Sequence, residues 1–189
     1  MYGVIGEDRS DVDAIKNIIV RLAGDGVAVR GKGYSGCGEL LKKGAAQLQV
    51  YERLKCSRFI VCYDSDGKDP AERKRALKQI FKDAGLKGVC CALVPVHEIE
   101  AWILADLPAV QNVIKGWAVA EGHKNPENQP HPKEYLEKLS EKNHRPRYAH
   151  ATMNPQIAKH LNLEIVYQRC PSYRPLHDVV VKGVGNLGD

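Results

Sequence analysis

Two hydrophobic patterns alternate along the first hundred residues. Residues 2–6, Val27–Val29, Arg58–Tyr63 and Val89–Val96 are short apolar runs, rich in β-branched and aromatic side chains and bounded by turn residues. Such runs read as buried strands. Between them the apolar positions recur at helical spacing. Val12, Ile15, Ile18, Ile19 and Leu22 share one face, with Ser10 as the expected N-cap and Gly24 as the stop. A second helix is predicted from about Glu39 to Lys55. A third begins at Asp69-Pro70, carries Glu72 at its third position, buries Leu77, Ile80, Phe81 and Ala84, and ends at Gly85. A fourth is predicted over Glu98–Asp106. The order βαβαβαβα predicts an α/β fold with a mostly parallel sheet covered by helices on both faces.

After Pro108 the pattern changes. Residues 116–132 are rich in proline, glycine and asparagine and predict a long loop. Helices are predicted from Pro132 to about Lys142, from Asn154-Pro155 onward, and over Glu164–Arg169, the last stopped by Pro171. Residues from Gly183 are expected to fray. The division expected is an α/β core over 1–108 and a helical, loop-rich C-terminal cap over 109–189, packed on the same domain.

Composition narrows the class of protein. The chain has 189 residues, 43% hydrophobic and 27% charged, with a net charge of +5. That is ordinary for a globular domain and permits an anionic partner. No apolar run approaches the ~20 residues that cross a bilayer, and the first residues lack a signal-peptide pattern. A cytoplasmic protein without a membrane partner is expected. The six cysteines form no C-x-x-C pair, which argues against a zinc ribbon or a disulfide scaffold.

Candidate chemistry lies at the strand ends. Asp64 and Asp66 follow the third apolar run, and on an extended backbone side chains two apart point the same way. Glu7 follows the first run, and Glu98 and Glu100 follow the fourth. In a parallel sheet these ends share one edge, so acids from three loops can converge there. Close carboxylates repel, and a hard divalent cation such as Mg²⁺ relieves this. Lys32, Lys68 and Lys133 are the candidate phosphate partners.

Three other patterns carry less. Gly31-Lys32-Gly33-Tyr34-Ser35-Gly36 is a formal G-x-G-x-x-G, but it follows the second strand and lacks an acidic residue at the right distance. It is expected to be a turn that could face a nucleic-acid phosphate. Asp64–Asp69 has its glycine misplaced for an EF-hand, and His97-Glu98 is not followed by the second histidine of a zincin. His123, His131, His144 and His150 are expected at the surface or near nucleic acid.

Glu7-x-x-Ser10-Asp11, Asp64-Ser65-Asp66 and Glu100-Ala101-Trp102, joined by Pro132-Lys133-Glu134-Tyr135-Leu136 and Arg169-Cys170-Pro171-Ser172-Tyr173, resemble a short Toprim-like (topoisomerase–primase fold) branch related to the nuclease domains of OLD-family proteins. The resemblance covers nearly the whole chain. Asp8 departs from it, since the family usually has glycine after the glutamate. It implies a Toprim-like fold and an Mg²⁺- or Mn²⁺-dependent nuclease acting on DNA or RNA. Asp64, Asp66, Glu100 and Glu7 would hold metal, with Glu7 also the proton-transfer group. It further implies work beside an AAA-type ATPase in defence against phage or other mobile DNA, with self-association into a homo-oligomer left open. The alternatives are a non-catalytic nucleic-acid or nucleotide binding module with a metal site, a nicotinamide enzyme using the glycine run, and a regulatory subunit that binds a protein.

Overall fold

A computed structural model describes residues 1–141 and 146–187. Among them are four strands, β1 (Tyr2–Gly6), β2 (Val29–Gly33), β3 (Arg58–Cys62) and β4 (Val89–Leu93). They form one sheet in the order β2-β1-β3-β4, and every pair is parallel. Strand residues alternate between two cores, as a two-residue period requires. Tyr2, Val4, Ile60, Cys62, Cys91 and Leu93 face one core, while Ile5, Phe59, Val61, Tyr63 and Ala92 face the other.

Helix α1 (Arg9–Ala23) covers the first face, and α2 (Cys37–Arg53) and α3 (Pro70–Ala84) cover the second. The first face also takes α4 (Glu100–Ala105), α5 (Pro132–Glu141), α6 (His150–Ile157), α7 (Leu163–Arg169) and α8 (Arg174–Val181). The architecture is α/β with an all-parallel sheet and helices on both faces. Leu136, Ile157, Val166, Tyr173 and Leu176 are buried in the same cluster as Val4 and Ile15, so residues beyond 108 complete the core over one face. Each such side chain contributes roughly 1.5–3 kcal/mol of burial. No helix among the described residues is long and apolar enough to cross a membrane, and the six cysteines are all free.

Several local expectations need correction. Asp8, not Ser10, caps α1, accepting from the Ser10 amide at 2.6 Å and from its hydroxyl at 2.5 Å. Strand β2 lies later than Val27–Val29 and takes in the first two glycines of the G-x-G-x-x-G run. A Cβ on Gly33 would sit 2.4 Å from the Arg9 Cα, and one on Gly31 would sit 2.5 Å from the Lys16 side chain. These glycines therefore let α1 lie close against β2, and only Tyr34-Ser35-Gly36 of the run lies outside the strand. Helix α6 starts at His150 and contains Pro155, because Asn154 is drawn into the core instead of capping the helix. Helix α8 was hidden by Pro171 and Pro175, which sit at the starts of successive short helical turns.

The C-terminal segment does not fray at Gly183. Asn186 pairs with edge strand β4, its amide donating to the Ala92 carbonyl and accepting from the Ala92 amide, both at 2.8 Å. Lys142, the expected end of the helix from Pro132, and His144 lie outside the described residues.

The glycine geometry is directly testable. Gly33→Ala must push α1 off the sheet and should destabilise the fold by about 1–3 kcal/mol, the usual cost of overpacking. Gly38→Ala lies in α2 with open space around its Cβ and should be neutral or stabilising by up to about 1 kcal/mol. Urea denaturation of the two variants measures the contrast.

Candidate functional site

Strand order reverses at β1, whose neighbours are β2 on one side and β3 on the other. Connections leave in opposite directions there, and a crevice opens beyond the carboxyl ends of the strands. A cavity of about 270 Å³ lies at that edge. It is lined by Glu7, Asp8, Asp11, Gly36, Asp64, Asp66, Glu98, Glu100, Lys133 and His150. The predicted acids Glu7, Asp64, Asp66 and Glu100 thus all reach one cavity, joined by Asp8, Asp11 and Glu98. Seven carboxyls against Lys133 give the lining a formal charge of −6, so the rest of the chain carries +11 to reach its net +5.

Each acid is held differently. Glu7 leaves the end of β1 and accepts from the Asp64 amide through Oε1 at 3.0 Å, which locks the β1 and β3 ends together. Asp64 is 8% exposed, and its Oδ1 has no hydrogen-bond partner. Asp66 also lines the cavity, but not by strand alternation, because β3 ends at Cys62 and Asp66 takes a left-handed conformation with φ of 50°. Its carboxylate bonds Arg73 of α3 at 3.2 Å. Glu98 is clamped by α5, pairing with the Lys133 ammonium at 3.3 Å and accepting from the Lys133 amide at 3.2 Å. Glu100 is 3% exposed and accepts from the Asn154 amide at 3.0 Å, and the Tyr148 hydroxyl bonds Asn154 in turn.

Burial and mutual repulsion set the proton affinities. Burial pushes Asp64 well above the usual carboxylate range, and Asp11, Glu7 and Glu100 push it further. Asp11 is raised well above that range as well, by burial first and then by Glu100. Burial lifts Glu100 to about 7, against the Asn154 bond that favours its charge. Glu7 is raised by burial, with the Asp64 amide opposing. Burial pushes Asp8 up too, but the bonds from Ser10 outweigh it and leave Asp8 below the usual range.

Among the described residues, no group of three or more His, Cys, Asp or Glu side chains already forms a ligand set. The reason is visible in the partners: Glu7, Asp66, Glu98 and Glu100 are each drawn to a different donor. The chemistry of the lining nevertheless fits a hard cation. Its candidate donors are carboxylate oxygens, and the buried, unpartnered Asp64 Oδ1 is the atom whose need the protein does not meet.

The lysines divide. Lys133 lines the cavity. Lys32 lies on β2, where it bonds Gln47 and stands over the Tyr34 ring. Lys68 is exposed in the turn before α3 and does not line the cavity. His150 lines the cavity, whereas His123 packs edge-on against Tyr135. Asp11 was legible only as part of the Ser10-Asp11 pair. Tyr148 and Asn154 gave no sequence signal, because nothing local ties them to the strand ends.

The elements beyond residue 108 support this site. Ser172 accepts from the Trp102 indole at 3.1 Å, Tyr173 meets the Trp102 ring edge-on at 5.3 Å, and Arg169 donates to the Ala105 carbonyl at 2.8 Å. These contacts fix α4, and with it Glu100.

A raised carboxyl pKa has a definite linkage sign. Between the unfolded value near 4.5 and the folded value of about 7, native Glu100 holds a proton that the unfolded chain has lost. In chelator, its contribution to stability should therefore fall as pH rises through that window and level off above it. Glu100→Gln should remove this slope and stabilise the metal-free protein at pH 8, on the order of 1–3 kcal/mol. Thermal melts of both proteins from pH 5 to 8 with EDTA check this.

No curated protein and no solved structure matches the chain. Residues 7–180 match the family model described as Domain of unknown function (DUF4276). That span opens on Glu7, takes in every carboxylate of the cavity and runs into the last helix, so the chain belongs to the DUF4276 family.

Proposed function

We propose that the cavity is the active site of a metal-dependent nuclease that hydrolyses phosphodiester bonds in DNA or RNA. The observation that carries this is Asp64: a buried carboxylate with an unpartnered oxygen, among six other acids, on a chain that is otherwise strongly basic. A bound cation would answer the first feature, and a polyanionic substrate fits the second. The resemblance of the acidic and C-terminal motifs to Toprim-like nucleases points the same way.

Asp64, Asp66, Glu100 and Glu7 would hold Mg²⁺ or Mn²⁺, which when bound supplies charge stabilisation to the phosphoryl oxygens. The chain's own residues do the rest. Glu7, fixed through Oε1 to the Asp64 amide and with raised proton affinity, takes the proton from the attacking water. Lys133, held at the cavity by Glu98, faces the substrate phosphates. Lys32 and Lys68, outside the cavity, are left as contacts along a longer strand. A cytoplasmic setting, an AAA-type ATPase partner and a role against mobile DNA belong to the same proposal and rest on the resemblance alone.

The second reading is a nucleic-acid or nucleotide binding module with a metal site but no catalysis. It is favoured by the tie between Asp66 and Arg73, which leaves the ligand set open.

Plasmid, single-stranded DNA and tRNA incubated with Mg²⁺ or Mn²⁺, and then with EDTA, separate the two. Metal-dependent cleavage is expected. Asp64→Asn should abolish both metal binding and cleavage. Glu7→Gln should slow cleavage by roughly 10²- to 10⁴-fold while at least one metal still binds. Metal at a hundred times its Kd should stabilise the wild type by about 2.7 kcal/mol. Metal binding without cleavage of any of these substrates, with the ATPase partner supplied, would leave the binding module.

A further inference from the structure

Arg73 was not among the predicted site residues and does not itself line the cavity, but it bonds Asp66, which does. Its side chain is 17% exposed, in contrast to the 61% of Asp66. One guanidinium nitrogen, Nη1, donates to the Tyr63 hydroxyl, and the group lies over the Tyr63 ring at 4.2 Å. The other, Nη2, donates to Asp66 at 3.2 Å. Tyr63 is buried at the end of β3, one residue before Asp64. The guanidinium is therefore held by the sheet itself, independently of Asp66.

A planar guanidinium with one edge on a rigid support and the other on an exposed carboxylate is a fork ready for an anion. Asp66 is a weak occupant of that fork, since an exposed ion pair is worth only about 0.2–1 kcal/mol. The unpartnered Asp64 oxygen in the same cavity marks the place for a cation beside it.

We infer that Arg73 is the phosphate-binding arginine of this site, and that Asp66 masks it until Asp66 turns inward to ligate a cation. This rests on the metal-site reading above. Asp66 then has two alternative partners, and Arg73 has two alternative anions. Tyr63 keeps the guanidinium in place through the exchange, so little ordering of the arginine remains to be done when phosphate arrives. Metal and phosphate consequently bind with positive coupling, and the coupling is reciprocal.

The test measures binding, not turnover. Mn²⁺ affinity is taken by isothermal titration. Affinity for a short labelled single-stranded oligodeoxynucleotide is taken by fluorescence anisotropy, with and without Mn²⁺. Both are done in a Glu7→Gln background so that the probe survives. Arg73→Ala should bind Mn²⁺ more tightly, by up to about fivefold, because Asp66 is set free. The same variant should bind the oligonucleotide about tenfold more weakly or worse in Mn²⁺ and lose the metal-dependent gain in affinity. Arg73→Lys keeps the charge without the fork and should fall between. Opposite signs for the two ligands are the signature. Parallel weakening of both with a lowered melting temperature, or no change in either, would overturn the role of Arg73 while leaving the nuclease reading intact. Failure of the wild-type protein, with Glu7 in place, to bind Mn²⁺ would overturn both.

Discussion

Mutual repulsion among buried carboxylates is the constraint that shapes this molecule. Asp11, Asp64 and Glu100 are each more than nine-tenths buried at one sheet edge, and four more acids share their cavity. An ionised carboxylate loses far more solvation on burial than a single neutral hydrogen bond returns. The chain meets this in three ways. It supplies donors to individual acids, as Asn154 does to Glu100 and the Asp64 amide does to Glu7. It supplies positive charge to Asp66 through Arg73 and to Glu98 through Lys133. For the remainder it raises proton affinity, most at Asp64 and Asp11. Such groups cost stability at neutral pH, and hydrophobic packing elsewhere must offset them.

That packing is arranged around the acids. Helix α4, which carries Glu100, is buried along its whole length. It is held by Trp102 against Ser172 and Tyr173, and by Arg169 on the Ala105 carbonyl. Helix α6 brings Asn154 to Glu100 and is tied to α1 by Asn17 and Arg21, which donate to the Pro155 and Ala158 carbonyls at 2.6 and 2.9 Å. Helix α5 brings Lys133 to Glu98. The C-terminal helices are thus the source of the donors that make a buried acidic edge tolerable, and an α/β core ending near residue 108 would lack them.

How legible each part was depended on how local its cause is. The strand–helix order, the α3 cap at Asp69-Pro70 and the meeting of Glu7, Asp64 and Glu100 follow from short-range pattern plus the rule that parallel strands share an edge. The glycine run was misread because its cause is distant in sequence: Gly33 is glycine so that the Arg9 backbone can approach it. Asp66 reaches the cavity with Asp64 as expected, but from a left-handed turn and not by strand alternation, because β3 stops before it. Asn154-Pro155 looks like a helix start by local rules, and the demand of Glu100 for a donor overrides them. Asn186 is a hydrogen-bonding mate for an edge strand nearly a hundred residues away, and composition carries no trace of that.

The separate partners of the acids also explain why a site rich in carboxylates has no finished ligand set. A protein that held four acids pointing inward without a cation would bear their full repulsion. Here Asp66 leans out to Arg73 and Glu98 to Lys133, and both pairs are partly solvent-exposed and therefore weak. Asp64 cannot lean out, because it is buried at the end of a central strand. The cavity thus combines one fixed, unsatisfied acid with others that can be recruited at small cost. On the proposed reading, the positive charge of the rest of the chain would attract a polyanion toward a mouth that repels it while the acids are ionised. On that reading, a cation that neutralised Asp64 and its neighbours would remove that repulsion and uncover Arg73 in the same step, so access for a phosphate and occupancy by a cation would be governed by the same few side chains.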